Sequence, residues 1–305
     1  MVGPAIPQAS LSIQHLIVGY LRCTAAVGGQ ITATLVLNLT ERVHLTQISQ
    51  LRIDVGSKTD IGRVRKNNED AFAVVPDIGL WVISDGMGGE THGELASAIA
   101  IETIVAYCRQ YSSDLPSRNS GESWPDISKR GNRLLRATHL ANHEIFNAAS
   151  QNSDRRGMGA TVVAAWLEEN RLSLVNVGDS RAYFLHSGEV EQLTADHTLV
   201  AEQVRRGIIS PAQALTTTLQ NVLIRALGAH ADVEPDIREF ELNPDGTLLL
   251  CTDGLTRMVD DSRIAKTILA APNAQSAADQ LVNLANECGG QDNVTVIVVQ
   301  FGEKS

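Results

Sequence analysis

The chain has no pair of cysteines at C-x-x-C spacing, no apolar run long enough to cross a bilayer and no excess of positive charge. Its four cysteines stand far apart, at Cys23, Cys108, Cys251 and Cys288. Such scatter argues against a zinc ribbon or a thioredoxin-type redox site. Cys108 falls in a helical pattern and Cys251 in a strand, so both read as buried thiols of a reducing compartment. A membrane span needs roughly 18–20 consecutive apolar residues. The nearest approach in the N-terminal region, Leu11–Val18, is short and broken by Gln14 and His15. The basic start of a signal peptide is also missing. The expected location is therefore the cytoplasm. With 25 basic against 35 acidic residues, the formal net charge is −10. An acidic balance argues against nucleic acid or an anionic membrane surface as the main partner.

What is present is ordinary globular material: 305 residues, 43% hydrophobic and 20% charged, enough for a sizeable core. Residues 1–50 differ in texture from the rest and hold no charged residue before Arg22. There Ile31, Ala33, Leu35, Leu37 and Leu39 alternate with Thr32, Thr34 and Asn38, a strand pattern broken only by Val36. No chemistry is visible in this extension.

From Leu51 onward the pattern is regular. Strands are expected at Leu51–Ser57, Ala71–Val75, Leu80–Ser84, Thr161–Leu167, Leu172–Val177, Ala182–His186, Leu248–Thr252 and Val294–Phe301. Helices are expected at Gly93–Tyr111, Lys129–Ala149, Asp196–Arg206, Asp260–Ala270 and Ser276–Cys288, with a solvated loop over Ser112–Ser128. Strands arrive in consecutive groups and helices in pairs between them. That order favours an α+β fold of antiparallel sheets packed together and covered by helices.

Two segments carry the chemistry. Leu80-Trp81-Val82-Ile83-Ser84-Asp85-Gly86 and Leu248-Leu249-Leu250-Cys251-Thr252-Asp253-Gly254 are both apolar runs ending in a hydroxyl residue, an aspartate and a glycine. Each places a carboxylate at a sheet rim, beside a glycine whose carbonyl no side chain shields. Asp85 with the Gly86 carbonyl can ligate one ion or bridge two. A glycine-rich turn with a capping aspartate accounts equally well for that segment alone. Asp253 can be a helix cap and Asp292 a turn residue, yet all three acids adjoin strong strands. These motifs contain no histidine or cysteine ligand, and oxygen-only ligation selects Mg²⁺ or Mn²⁺ over zinc. Arg65 offers a fork that suits phosphate oxygens; the alternative is a surface arginine, as Arg63 and Lys66 beside it are read. Glu69 can reach a metal-bound water, and Asp70 reads as structural. Asp179 can be a ligand, but a structural carboxylate that accepts turn N–H groups or pairs with Arg181 is preferred. Asp154 and Asp196 are weaker acids in isolation. His92 can act as a general acid, although an ordinary helix-start histidine is the simpler reading.

The ordered set Arg65…Asn68-Glu69-Asp70, Ser84-Asp85-Gly86-Met87-Gly88-Gly89, Gly157-Met158-Gly159-Ala160-Thr161, Gly178-Asp179-Ser180-Arg181, Thr252-Asp253-Gly254 and Gly290-Gln291-Asp292-Asn293-Val294-Thr295 resembles the metal-dependent type 2C serine/threonine protein phosphatases, in particular their bacterial branch. The similarity runs from about Leu51 to Phe301, which implies a catalytic domain at 51–302 preceded by an extension at 1–50. It implies a four-layer αββα sandwich, two antiparallel sheets flanked by pairs of helices. It implies that Asp85 bridges two Mg²⁺ or Mn²⁺ ions, with the Gly86 carbonyl on one and Asp253 and Asp292 on the other. Glu69 would hold a metal-bound water and Arg65 the substrate phosphate, with Asp70, Asp179 and Asn293 structural nearby. A third ion, common in the bacterial branch, would map onto Asp154, Asp196 and Asp253. The segment Leu199–Thr217 falls where the family has a flap. Met87 stands where eukaryotic members have a proposed general-acid histidine, and Glu90 where many bacterial members have histidine. The implied substrates are phosphorylated proteins and the implied counterpart is a serine/threonine kinase. The alternative is a non-catalytic sensing or binding module on the same fold, which loss of the metal acids would mark.

Overall fold

The computed structural model of the protein describes residues 51–88, 92–112, 124–214, 217, 219–242 and 244–303. The strand read at Ile31–Leu39 lies outside them, as do Gly89, Glu90 and most of the loop read at Ser112–Ser128. In chain order the strands are β1 (Leu51–Asp60), β2 (Asp70–Val75), β3 (Leu80–Met87), β4 (Gly159–Ala160), β5 (Val162–Glu168), β6 (Arg171–Val177), β7 (Arg181–His186), β8 (Glu189–Gln192), β9 (Asp236–Glu241), β10 (Thr247–Cys251) and β11 (Val294–Glu303). The helices are α1 (His92–Gln110), α2 (Lys129–Ser150), α3 (Leu199–Arg205), α4 (Pro211–Ala214), α5 (Asp253–Thr256), α6 (Asp261–Ala270) and α7 (Ala274–Glu287).

Every strand pair is antiparallel. One sheet has the order β1-β11-β10-β7-β8; the other runs β2-β3-β5-β6-β9, with β4 on β3. Alternation along each strand sorts the side chains into three cores. In β3, Trp81 and Ile83 face the opposite sheet, while Leu80 and Val82 pack against α1 and α2. In β10, Leu248 and Leu250 join the inter-sheet core, while Leu249 and Cys251 pack under α6 and α7. Both faces of these strands are covered, so they read as continuous apolar runs rather than alternating ones. The result is the four-layer sandwich, with helices outside two facing sheets.

Local capping sets where the helices begin. Ser128 accepts from the Gly131 N–H at 3.0 Å to start α2, and Asn273 accepts from Ser276 at 2.8 Å to start α7. α3 starts at Leu199 rather than Asp196, because Thr198 caps it and Asp196 is held elsewhere by Arg181. Strands β8 and β9 escape the sequence pattern. They are edge strands with exposed charged residues, so no apolar periodicity marks them.

Antiparallel pairing brings strand ends from both sheets to one end of the sandwich. Asp70, opening β2, sits opposite Asp85 near the end of β3. In the other sheet, Thr252 just past β10 donates its N–H to the Thr295 carbonyl at the start of β11. Asp70 then crosses between the sheets: its Oδ2 accepts from the Thr252 hydroxyl at 2.9 Å and from the Thr295 hydroxyl at 2.7 Å.

Candidate metal centre

A cavity of about 720 Å³ opens at that end, and Arg65, Glu69, Asp85, Gly86, Asp179, Asp253, Arg257 and Asp292 line it. Arg65 comes from the loop between β1 and β2 and the others from at or near the ends of regular elements, where the backbone must turn and a polar side chain costs the core little.

Asp85 is positioned through its backbone. Its N–H donates to the Thr161 hydroxyl at 3.0 Å, and its carbonyl accepts from the Thr161 N–H at 2.8 Å. Thr161 is itself fixed by a 2.7 Å hydroxyl contact with buried Ser180, and by its carbonyl, which accepts from Ser84 Oγ at 2.7 Å. The threonine and serine of the two short glycine motifs thus brace the aspartate of a third. Gly86 donates its N–H to the Glu69 carbonyl at 3.1 Å. A Cβ on Gly86 would lie 1.9 Å from the Gly93 carbonyl oxygen, so only glycine fits.

Glu69 is held from three sides. Its N–H donates to Asn293 Oδ1 at 2.8 Å, and its carbonyl also accepts from Ser97 Oγ at 2.6 Å. Asn293 Nδ2 donates to the carbonyls of Ile61 and Asn67, at 3.0 and 2.9 Å. Asp292 accepts the Asn293 N–H through Oδ1 and Arg65 Nη2, at 2.8 Å, through Oδ2. Asp253 opens α5, and Arg257 one turn later contacts its carboxylate. The same guanidinium lies 3.7 Å from Asp179 and 3.6 Å from Asp292.

These acids share an electrostatic problem. Burial lifts the Asp85 carboxyl well above the usual carboxylate range, and the charges of Asp70, Asp253, Asp179 and Asp292 lift it further. Asp253 is pushed up to about 8, by burial first and then by Asp179, against the pull of Arg257. Asp70 rises to about 7 through burial, opposed by its two threonine hydrogen bonds. Burial also raises Glu69 and Asp179, against Arg65 and Arg257 respectively. Buried carboxylates packed this closely are stabilised by cations.

The donor set suits hard divalent ions: carboxylate oxygens throughout, with a bare glycine carbonyl at Gly86. Asp253 Oδ1 is buried and has no hydrogen-bond partner, which leaves it available to a ligand. Among the described residues, no three acidic, histidine or cysteine side chains converge closely enough to hold an ion in this conformation. Arg257 stands among Asp253, Asp179 and Asp292 instead.

The remaining expected residues lie elsewhere. Asp196 gives both carboxylate oxygens to Arg181, at 2.9 and 2.7 Å. Arg181 therefore pairs with Asp196, so of the two structural roles expected of Asp179 the pairing with Arg181 is not formed. Asp179 faces the cavity. Asp154 is exposed in a short turn of helix, its N–H donated to Asn152 Oδ1 at 2.9 Å. Asp154, Asp196 and His92 do not line the cavity. Sequence reasoning missed Arg257. Its only signal was its place four residues after Asp253, the spacing at which side chains meet on a helix.

The sequence and fold have counterparts among known proteins. Residues 62–289 match the model of the protein phosphatase 2C family. The chain is 35% identical over 246 residues to the serine/threonine phosphatase stp of Listeria monocytogenes, covering 80% of this chain and 94% of that protein. The crystal structure of the Mycobacterium tuberculosis serine/threonine phosphatase PstP/Ppp superposes with a TM-score of 0.72 at 34% identity, covering 82% of this chain and 99% of that one. A structure of the PstP catalytic domain in complex with two manganese ions gives a TM-score of 0.69 at 34% identity, covering 83% and 99%. With this agreement in sequence and fold over most of its length, the chain belongs to the protein phosphatase 2C family, among its bacterial serine/threonine phosphatases.

Proposed function

We propose that this protein hydrolyses phosphoserine and phosphothreonine in other proteins, using two Mg²⁺ or Mn²⁺ ions held by Asp85, the Gly86 carbonyl, Asp253 and Asp292. The observation that carries the reading is that Asp85, Asp253 and Asp292, far apart in sequence, line one cavity with Arg65 at its edge. Two divalent ions bound there would neutralise phosphoryl charge and activate a water for in-line attack on phosphorus. The chain's own part is positional. Thr161 and Asn293 hold the Asp85 and Glu69 backbones, so that only the side chains need turn to meet an ion. Glu69, raised by burial, sits where it can orient a water through a hydrogen bond. Arg65, about half exposed, can turn its guanidinium from Asp292 to the phosphoryl oxygens and stabilise charge as the ester bond breaks. Among the described residues no cysteine lines the cavity, in keeping with direct attack by water rather than a phosphocysteine route. Asp196 is committed to Arg181 and Asp154 lies outside the cavity, so the proposal rests on two ions rather than three. The substrate ester is the product of a serine/threonine kinase, the counterpart activity.

The test is hydrolysis of p-nitrophenyl phosphate and of a phosphothreonine peptide. Turnover should require added Mn²⁺ or Mg²⁺ and stop on chelation. Full activity in EDTA would defeat the proposal, as would Asp85→Asn or Asp253→Asn variants that keep their rates; a loss of about 10²–10³-fold is expected for each.

A further inference from the structure

Arg257 occupies an unusual position. It lies four residues after Asp253, and its backbone N–H donates to the Asp253 carbonyl at 2.9 Å to close the short helix α5. That geometry folds the side chain back over the Asp253 carboxylate. Its guanidinium contacts Asp253 and lies 3.6 Å from Asp292 and 3.7 Å from Asp179. These contacts come from three separate parts of the chain, and two of the acids are the ones assigned above to the ions.

A guanidinium and a divalent cation satisfy the same need at a carboxylate, and they exclude one another. The guanidinium takes up lone pairs of Asp253 Oδ2 and fills the space beside it. Asp253 Oδ1, buried without a partner, shows that the arginine meets the need only in part. Its side chain is about one-third exposed, so it has an outlet to solvent.

We propose that Arg257 is the resident counter-cation of the metal-free centre and competes with Mg²⁺ or Mn²⁺ for Asp253 and Asp292. This rests on the metal-centre reading above and adds a consequence. The arginine stabilises the empty centre, weakens its affinity for ions and so sets the metal concentration at which the enzyme becomes active. Binding of an ion at Asp253 displaces the guanidinium toward the cavity mouth.

The experiment is calorimetric titration of Mn²⁺ into the full-length chain and into its Arg257→Ala, Arg257→Gln and Arg257→Lys variants, with thermal melting of each in EDTA and in saturating Mn²⁺. Wild type should bind Mn²⁺. Arg257→Ala and Arg257→Gln should bind about tenfold more tightly, the size of effect that loss of one competing ion pair gives. They should melt lower than wild type in EDTA, yet gain more from saturating Mn²⁺. Arg257→Lys, which keeps the charge but loses the fork, should fall between. Affinity unchanged or weakened in both neutral variants overturns the competition while leaving the metal centre standing. Absence of Mn²⁺ binding by wild type overturns both. If one neutral variant fails to fold by circular dichroism, the other and Arg257→Lys still decide the direction.

Discussion

The side-chain oxygen of Asn293 accepts the backbone N–H of Glu69 at 2.8 Å, joining points 224 residues apart. Its amide nitrogen serves the carbonyls of Ile61 and Asn67. One half of this pair adjoins Asp292 and the other adjoins the loop that carries Arg65. Asn293→Ala removes all three bonds and leaves backbone groups unpaired. It should cost about 2–4 kcal/mol in denaturant unfolding and lower kcat/KM at least about tenfold. A wild-type unfolding midpoint would refute this account of the loop.

Close approach, rather than backbone strain, explains Gly86 and Gly254. A Cβ at Gly254 would fall 1.9 Å from the Asn293 carbonyl oxygen, and one at Gly86 the same distance from that of Gly93. Neither neighbour is a side-chain tip that can swing away. Gly254→Ala and Gly86→Ala should each destabilise the protein by about 3 kcal/mol or more and abolish activity. Gly188→Ala, in open space but with φ +83°, should cost only about 1 kcal/mol and leave catalysis intact. Equal unfolding free energies for all three would remove the distinction.

Arg65 and Asp292 form a partly exposed pair, so the arginine contributes little to stability. Arg65→Ala should change the unfolding free energy by less than about 1 kcal/mol. It should raise KM for a phosphothreonine peptide and weaken inhibition by inorganic phosphate, each about tenfold or more. Arg65→Lys should rescue neither fully, since the ammonium lacks the fork. Unaltered steady-state constants in the alanine variant would take Arg65 out of the site.

Glu239 tests the scaffold instead. From β9 it accepts the Ser128 N–H and hydroxyl at the start of α2, Ser173 Oγ at 2.6 Å and Arg171 Nη2 at 2.9 Å. Burial pushes its carboxyl up, but these hydrogen bonds outweigh burial and hold it below the usual glutamate range. A carboxylate with a lowered folded pKa stabilises the protein above its unfolded pKa, and that stability is lost as pH falls through the folded one. Glu239→Gln should therefore cost about 2 kcal/mol at pH 7, and the gap from wild type should close toward pH 3–4. A gap independent of pH would contradict the charged role.

Legibility followed burial. β3, β10 and β11 were plain because both faces are covered and the residues are apolar throughout. β9 carries Asp236, Arg238, Glu239 and Glu241, so nothing in its pattern marks a strand, although it completes a sheet and anchors α2. Asp85, Asp253 and Asp292 stood out because each follows or precedes a strong strand beside glycine or asparagine. The Arg181–Asp196 pair did not, because Asp179 is nearer in sequence and either carboxylate satisfies an arginine on paper. Thr161 and Ser180 were visible only as motif letters; that they brace the Asp85 backbone depends on β4, β5 and the β6–β7 turn meeting.

The covered strands, the long helices and the acid-bearing strand ends belong to the sequence alone. Apolar periodicity, glycine placement and helix caps act over a few residues and need no distant partner. Which acids share a cavity, and which guanidinium sits among them, was decided by tertiary structure. Antiparallel pairing and the packing of two sheets carry Glu69, Asp85, Asp253 and Asp292 to one end of the sandwich, and charge balance among buried carboxylates then draws in Arg257. The pairing is long-range, joining groups more than 200 residues apart, and although Arg257 stands one helical turn from Asp253, its approach to Asp179 and Asp292 depends on that assembly.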